Sequence, residues 1–361
     1  HRKEDPYPAS RFSREKPVRV MVVDDSELIR RALRKIFSND AALQVTAEAA
    51  NGIEALELLE QRRPDVITLD VHMPGMDGIS TLKRIMIRNP RPTVMLSSLT
   101  LEGAKLTFDT LRYGAVDFLP KPSNLAGSQS GEQRREIIRR VRLAADVEIE
   151  ALRYFRGPVE ARAGAAAGET ACRQLLVAGA AEGGYAALLK MIPGLPADTA
   201  AACVVVLHAD PRYVDAFSEY LDGFSSVRVR RAMDGMPLQN GVCYLVAGCE
   251  YATLQNARRG PVLAVNPSPF QRRRGAIDML MISAAEAELQ ATVGILLSGA
   301  GEDGVEGAGV IRRSGGRILI QDPVSCLYKQ MTAAAIAAHG RENCTIVTDT
   351  AMSDAVLRCV G

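Results

Sequence analysis

From Val18 onward, short apolar runs alternate with stretches whose apolar residues recur at helical spacing. The apolar runs cover 18–23, 44–49, 65–70, 93–98 and 115–120 and predict strands. The segments between them predict helices, such as 52–63, where Ile53, Leu56 and Leu59 recur every three residues. Five strands joined by helical crossovers imply a parallel, doubly wound α/β sheet. A long helix, 133–155, is expected to close this unit. Residues 157–171 are rich in Gly and Ala and predict a linker. The alternation then resumes with strands at 173–180, 202–208, 261–265, 292–298 and 317–322. The segment 227–248 reads as an antiparallel excursion or hairpin. The organisation expected is a flexible tail (1–16), a first domain (17–156), the linker, and a second domain (172–361), both domains of doubly wound parallel α/β class.

Composition narrows the function classes. A chain of 361 residues accommodates two domains of about 150 residues each. Its net charge of +2 gives no general case for nucleic acid, and the basic runs at 133–142 and 271–275 read as solvated surface. No apolar run approaches the ~18 residues needed to span a bilayer, so no membrane insertion is expected. The seven cysteines form no C-x-x-C pair, and Cys203 lies inside an apolar run. They read as reduced core residues of a cytoplasmic protein.

Candidate chemistry collects at strand ends. Asp24 and Asp25 end the first strand, Asp70 the third, Ser97 the fourth and Lys121 the fifth. In an open parallel sheet these ends share one edge, and the order 2-1-3-4-5 sets strands one and three side by side. Three converging carboxylates repel one another unless a hard cation such as Mg²⁺ lies among them. Asp70 would then be placed to attack a phosphoryl group while Lys121 and the ion neutralise developing charge. Five such residues, each at the proper end of its element, are poorly explained as solvated loop residues. The wording "VVDDS", "LDVHMPGMDG", "MLSS" and "GAVDFLPKP" resembles response-regulator receiver domains, of flavodoxin-like fold, over 18–122. The resemblance implies that Asp70 accepts a phosphoryl group from a histidine kinase, that Asp24 and Asp25 help hold Mg²⁺, and that Ser97, Lys121 and the aromatic Phe118 sense the phosphate.

Three strand ends stand out in the second half. They are the turn "GAAEGG" (179–184), His208 after "VVVL", and Asp303 in "SGAGEDG". A nucleophile, a His and an Asp on separate strand ends is the layout of a triad on an α/β sheet. Dinucleotide binding fits less well, because G-x-G-x-x-G from Gly179 needs a glycine where Ala181 stands. Residues 172–340 resemble the Rossmann-like catalytic domain of the chemotaxis protein-glutamate methylesterases. Placed on this chain, that family's nucleophilic serine falls on Ala181 and the next threonine on Glu182, with the catalytic histidine on His208 and aspartate on Asp303. Ala209, Asp210, Tyr251 and Ala300 also depart from the family pattern, whereas scaffold stretches such as "AIDMLM" and "QDPVSCLYKQMTAAAI" persist.

Alanine has no nucleophile for a histidine to activate, and removing the serine of a triad enzyme costs about 10⁶ in rate. Glu182 is adjacent but is a weak nucleophile toward esters. The expectation is a phosphorylatable chemotaxis response regulator whose second domain is a pseudoenzyme that binds methyl-accepting chemoreceptors or other signalling partners. The alternative is an active methylesterase or glutamine amidase with an unrecognised nucleophile.

Overall fold

The computed structural model describes residues 16–97, 101–122, 130–147, 172–258, 260–267, 275–287 and 289–360. The expected linker, all but the last residue of the expected tail, and residues 148–155 lie outside these residues; the helix expected at 133–155 instead spans Ser130–Ala145 and gives way to a turn at 146–147. The chain divides into two compact units, His1–Phe155 and Arg156–Gly361.

The first unit carries strands β1 (Val18–Val23), β2 (Leu43–Ala49), β3 (Val66–Asp70), β4 (Thr93–Ser97) and β5 (Asp117–Pro120). They form one sheet in the order β2-β1-β3-β4-β5, every pairing parallel. Helices α1 (Glu27–Phe37), α2 (Gly52–Arg62), α3 (Gly78–Arg88), α4 (Leu101–Arg112) and α5 (Ser130–Ala145) make the crossovers and the closing element. β3 and β4 are buried along their whole length, as unbroken apolar runs in a parallel sheet should be. Asn51 starts α2 by accepting hydrogen bonds from the N–H groups of Ile53 and Glu54. The helix does not bury Ile53 as its spacing predicted, since that side chain is 57% exposed. Its buried face runs through Gly52, Ala55 and Leu59 instead. A Cβ on Gly52 would fall 2.0 Å from Thr81 Oγ1, and this close approach to α3 sets the rotation of the helix.

The second unit contains β6 (Gln174–Ala180), β7 (Ala202–Leu207), β8 (Arg228–Arg231), β9 (Val242–Ala247), β10 (Glu250–Ala257), β11 (Gly260–Pro267), β12 (Ala291–Leu296), β13 (Arg317–Gln321) and β14 (Thr345–Val347). Seven of them form an all-parallel sheet in the order β14-β13-β12-β6-β7-β9-β8. Helices α6 (Gly184–Met191), α7 (Pro211–Asp222), α8 (Ala276–Glu286), α9 (Val305–Arg313), α10 (Gln330–His339) and α11 (Met352–Val360) accompany it.

Two expectations need correction. The segment 227–248 is not an antiparallel excursion, because β8 and β9 pair in parallel. All six residues of β9 are buried, which fits an interior strand of a covered sheet. The strand expected at 261–265 does not join the parallel sheet either. It is part of β11, which pairs antiparallel with β10 in a separate hairpin. None of the described helices is long and apolar enough to cross a membrane. The seven cysteines are unpaired.

Helix α8 approaches β6 so closely that a Cβ on Gly179 would fall 2.3 Å from Ile277 Cγ2. Gly179→Ala is therefore expected to destabilise the second unit by about 1–3 kcal/mol through overpacking. Urea unfolding should show a lower midpoint with an unchanged slope, and Ile277→Ala in the same chain should recover part of the loss.

Candidate functional site

Each sheet changes direction at one point, and side chains converge there. In the first unit the strand order reverses between β1 and β3, which opens a crevice at their carboxyl ends. Asp24 and Asp70 flank it and are 0% and 1% exposed. One oxygen of each is committed to backbone: Asp24 Oδ1 accepts from Ser26 N–H and Asp70 Oδ1 from His72 N–H. The two Oδ2 atoms have Lys121 Nζ as counter-charge, at 3.0 Å from Asp24 and 2.7 Å from Asp70. Burial pushes the Asp70 carboxyl above its usual range; Lys121 pulls it back, and the charge of Asp24 adds to the rise. Burial works to lower the Lys121 pKa, but its bonds to the two carboxylates prevail and raise it.

Asp25 joins the pair from an exposed position, and ligand oxygens of the three acids lie within 4.8 Å of one another. The Oδ2 atoms of Asp24 and Asp70 are buried and accept no conventional hydrogen bond beyond the ammonium contact. An all-oxygen, anionic donor set with unfilled lone pairs fits a hard divalent cation. Lys121 is held in place because its own N–H donates to Ser97 C=O. Ser97 Oγ accepts from Thr107 Oγ1 at 2.8 Å. Phe118 is buried, with its ring edge-on to Phe108 at 5.7 Å. The structure thus gathers Asp24, Asp25, Asp70 and Lys121 at one point, and joins Ser97 to Lys121 through the backbone.

In the second unit the order reverses between β6 and β12. The loops after these strands meet across the crevice. Ala181 N–H donates to Ser298 C=O at 3.0 Å, and Ser298 Oγ donates to Glu182 C=O at 3.0 Å. Glu182 Oε2 accepts from Ala300 N–H at 3.1 Å. The Ala181 methyl faces Gly299, whose own Cβ would fall 2.9 Å from it. Glycine is required at 183, where φ is +74° and a Cβ would meet Ser298 Oγ at 2.6 Å. Ser298 Oγ also accepts from Tyr328 N–H at 3.0 Å, so this hydroxyl is fully engaged in holding the loop.

His208 follows β7, next to β6. Its Nε2 sits 2.8 Å from Asp303 Oδ2. Asp303 also accepts from the N–H groups of Ile277 and Asp278 at 3.2 and 3.1 Å, and so caps α8. Burial works to raise the Asp303 pKa, but His208 and these two amides hold it below the usual range. Asp278 returns the favour by accepting from Gly307 N–H of α9 at 2.7 Å. Burial pushes the Asp278 carboxyl up, and the neighbouring Asp303 charge adds to the shift. His208 and Asp303 open onto a cleft of about 830 Å³, also lined by Ala300, Glu306, Arg313 and His339.

Sequence reasoning brought His208 and Asp303 to one place but missed Asp278. A signal existed: α8 and α9 both start at glycines, Gly275 and Gly304, that have no side chain to cap with. The partner of the Glu182 carboxylate was also missed, because a backbone amide leaves no trace in sequence. Asp210, which departs from the family pattern, caps α7 by accepting from Arg212 N–H.

Asp303→Ala should cost about 1–2 kcal/mol at neutral pH through loss of the α8 cap. Because the folded carboxyl titrates below its unfolded value, this stability is present above pH ~4 and is lost as the pH falls through the folded pKa. The gap between wild type and variant in urea unfolding should therefore narrow on acidification.

Comparison with known proteins agrees with this division. Residues 20–127 match the model of the response regulator receiver domain, and residues 176–355 match that of the CheB methylesterase. A protein-glutamate methylesterase/protein-glutamine glutaminase of Pyrococcus horikoshii is 37% identical over 326 residues, 88% of each chain. One from Symbiobacterium thermophilum is 34% identical over 96% of this chain and 98% of its own. Among solved structures, the CheB methylesterase catalytic domain of Thermotoga maritima aligns with 52% of this chain and 99% of its own, at 24% identity and a TM-score of 0.48. By the family models and the sequence relatives, the chain belongs to the protein-glutamate methylesterase/protein-glutamine glutaminase family, with a receiver domain followed by a CheB-type methylesterase domain.

Proposed function

We propose that this protein is a chemotaxis-type response regulator that takes a phosphoryl group on Asp70 and whose methylesterase-type domain binds partners without hydrolysing them. In the receiver, the Asp70 carboxylate forms the new O–P bond as the bond to a kinase histidine breaks. Asp24, Asp25 and Asp70 would hold Mg²⁺, which when bound neutralises the phosphoryl oxygens. Lys121 adds a second positive charge against the same oxygens, and Ser97 lies within one residue's reach of it through the Lys121 N–H bond. Movement of Ser97 toward a phosphoryl group would break its bond to Thr107 of α4, and Phe118 is packed against Phe108, the next residue of the same helix.

The observation that carries the second half is Ala181. It follows β6 as His208 follows the neighbouring β7, lies against Ser298 and Gly299, and brings only a methyl group. Neighbouring groups do not substitute. Ser298 is tied on both sides. Cys326 has its thiol pushed up to about 12 by burial, so it offers almost no thiolate at neutral pH. With no nucleophile, the domain's work is binding: docking on methyl-accepting chemoreceptors, competing with an active esterase, or drawing phosphate from the kinase. Its setting is the cytoplasm, supported by the seven unpaired cysteines.

A second function, active methylesterase or glutamine amidase, would need a nucleophile other than residue 181, and the partly buried Cys249 is the thiol to test. Cys249 follows Gly248, which packs so closely that a Cβ there would fall 2.7 Å from His208 Cδ2.

Two measurements test these roles. Acetyl phosphate with Mg²⁺ should label one site per chain, and labelling should vanish in Asp70→Asn and on chelation of the metal. Methanol release from methylated chemoreceptors should stay at background, with or without phosphorylation. A rate comparable to that of an active relative sinks the binding role, and its loss in Cys249→Ala would identify the thiol as the nucleophile.

A further inference from the structure

The missing hydroxyl is not the whole difference at this crevice. Glu182 Oε2 lies on Ala300 N–H at 3.1 Å. That amide belongs to the loop the 181 side chain faces, since the Ala181 methyl abuts Gly299. A backbone N–H beside the attacking position is the kind of donor that stabilises an acyl-transfer oxyanion. The same N–H can donate to the carboxylate of a bound glutamate, since both present an anionic oxygen acceptor. Here the chain's own glutamate supplies the oxygen. The remaining bonds hold Glu182 in register: its C=O accepts from Ser298 Oγ, which accepts in turn from Tyr328 N–H. The anchor Ser298 is 1% exposed and its own N–H donates to the Gln321 side chain at 2.9 Å. The carboxylate is thus delivered by a loop sewn down at several points.

The geometry points to a carboxylate-binding site at Ala300 N–H that is filled from within, with Glu182 as an internal ligand in the place a glutamyl side chain would take. The inference rests on the family membership of residues 176–355 and deepens the proposed loss of hydrolysis. It makes the site blocked twice: position 181 lacks the nucleophile, and position 182 occupies the donor that a tetrahedral adduct would need. A serine restored at 181 is then insufficient.

The test compares Ala181→Ser with Ala181→Ser/Glu182→Thr in the full chain, using N-acetylglutamate γ-methyl ester as probe. In an active variant the serine Oγ bonds to the ester carbon, His208 takes its proton, methanol leaves, and water then releases the free acid. The single variant should remain near background. The double variant should release methanol about 10²-fold faster or more, the range seen when an oxyanion donor is gained or lost. A double variant no faster than the single one overturns the inference. A second readout needs no catalysis: in Glu182→Gln, loss of the charged acceptor should move the Ala300 amide proton upfield in a ¹H–¹⁵N spectrum. An unmoved Ala300 resonance also overturns it. Methanol release by the wild-type chain is a separate outcome that sinks the disarmed site itself, whatever the ratio of the two variants.

Discussion

Parallel strands all end on one edge of their sheet, and where the strand order reverses the neighbouring loops part. This constraint places the functional groups of both domains. Between β1 and β3 the parting loops bring two buried aspartates together, and Lys121 from the end of β5 reaches across to both. Between β6 and β12 they bring Ala181 and Glu182 against Ser298, Gly299 and Ala300. Each crevice is bridged by a charged side chain, a cation over anions in the first and an anion on an amide in the second. The same topology has been furnished with opposite charge.

The second crevice is steadied by the exchange between Asp303 and Asp278. Each lies at the start of one helix and caps the other's first turn. Two like charges held this close would repel, and the structure resolves the conflict unevenly. Asp303 has His208 and two amides, which hold its carboxyl below the usual range, while burial and the Asp303 charge raise that of Asp278. His208 is therefore positioned by an aspartate that also holds the fold. This gives a physical reason for the His–Asp pair to be kept in a chain with alanine at 181: removing Asp303 would uncap α8 whether or not the histidine has work to do.

Much of this was legible in the sequence. The apolar runs ending at Asp24, Asp70 and Ser97 identified strands because parallel strands are buried on both faces. Residues at strand ends could then be assigned to one edge without knowing any contact. The misreadings share a cause. The segment 227–248 read as an antiparallel excursion, yet β9 is as apolar as β7 and pairs in parallel with β8 across a connection that has no helix to announce it. Ile53 had helical spacing, but the rotation of α2 was decided by Gly52 against Thr81, a contact between elements distant in sequence. At the site, side chains were visible and backbone donors were not. Ala181 could be read as a loss, whereas the gain at Glu182 depends on an amide more than a hundred residues away.

The tether of Glu182 carries a thermodynamic consequence. A ligand held on the same loop as its receptor competes at an effective concentration set by its linkage, of the order of millimolar even for a flexible link. Glu182 is joined to the crevice by a single residue and by the bonds of Ser298, so the link is stiff. A free glutamate side chain from a partner must outbid that local supply, and the domain would tolerate millimolar cellular carboxylates without responding to them. Only a partner that brings additional contacts along its length could pay for displacing the internal carboxylate, which turns an anion site with little selectivity of its own into one that registers extended surfaces.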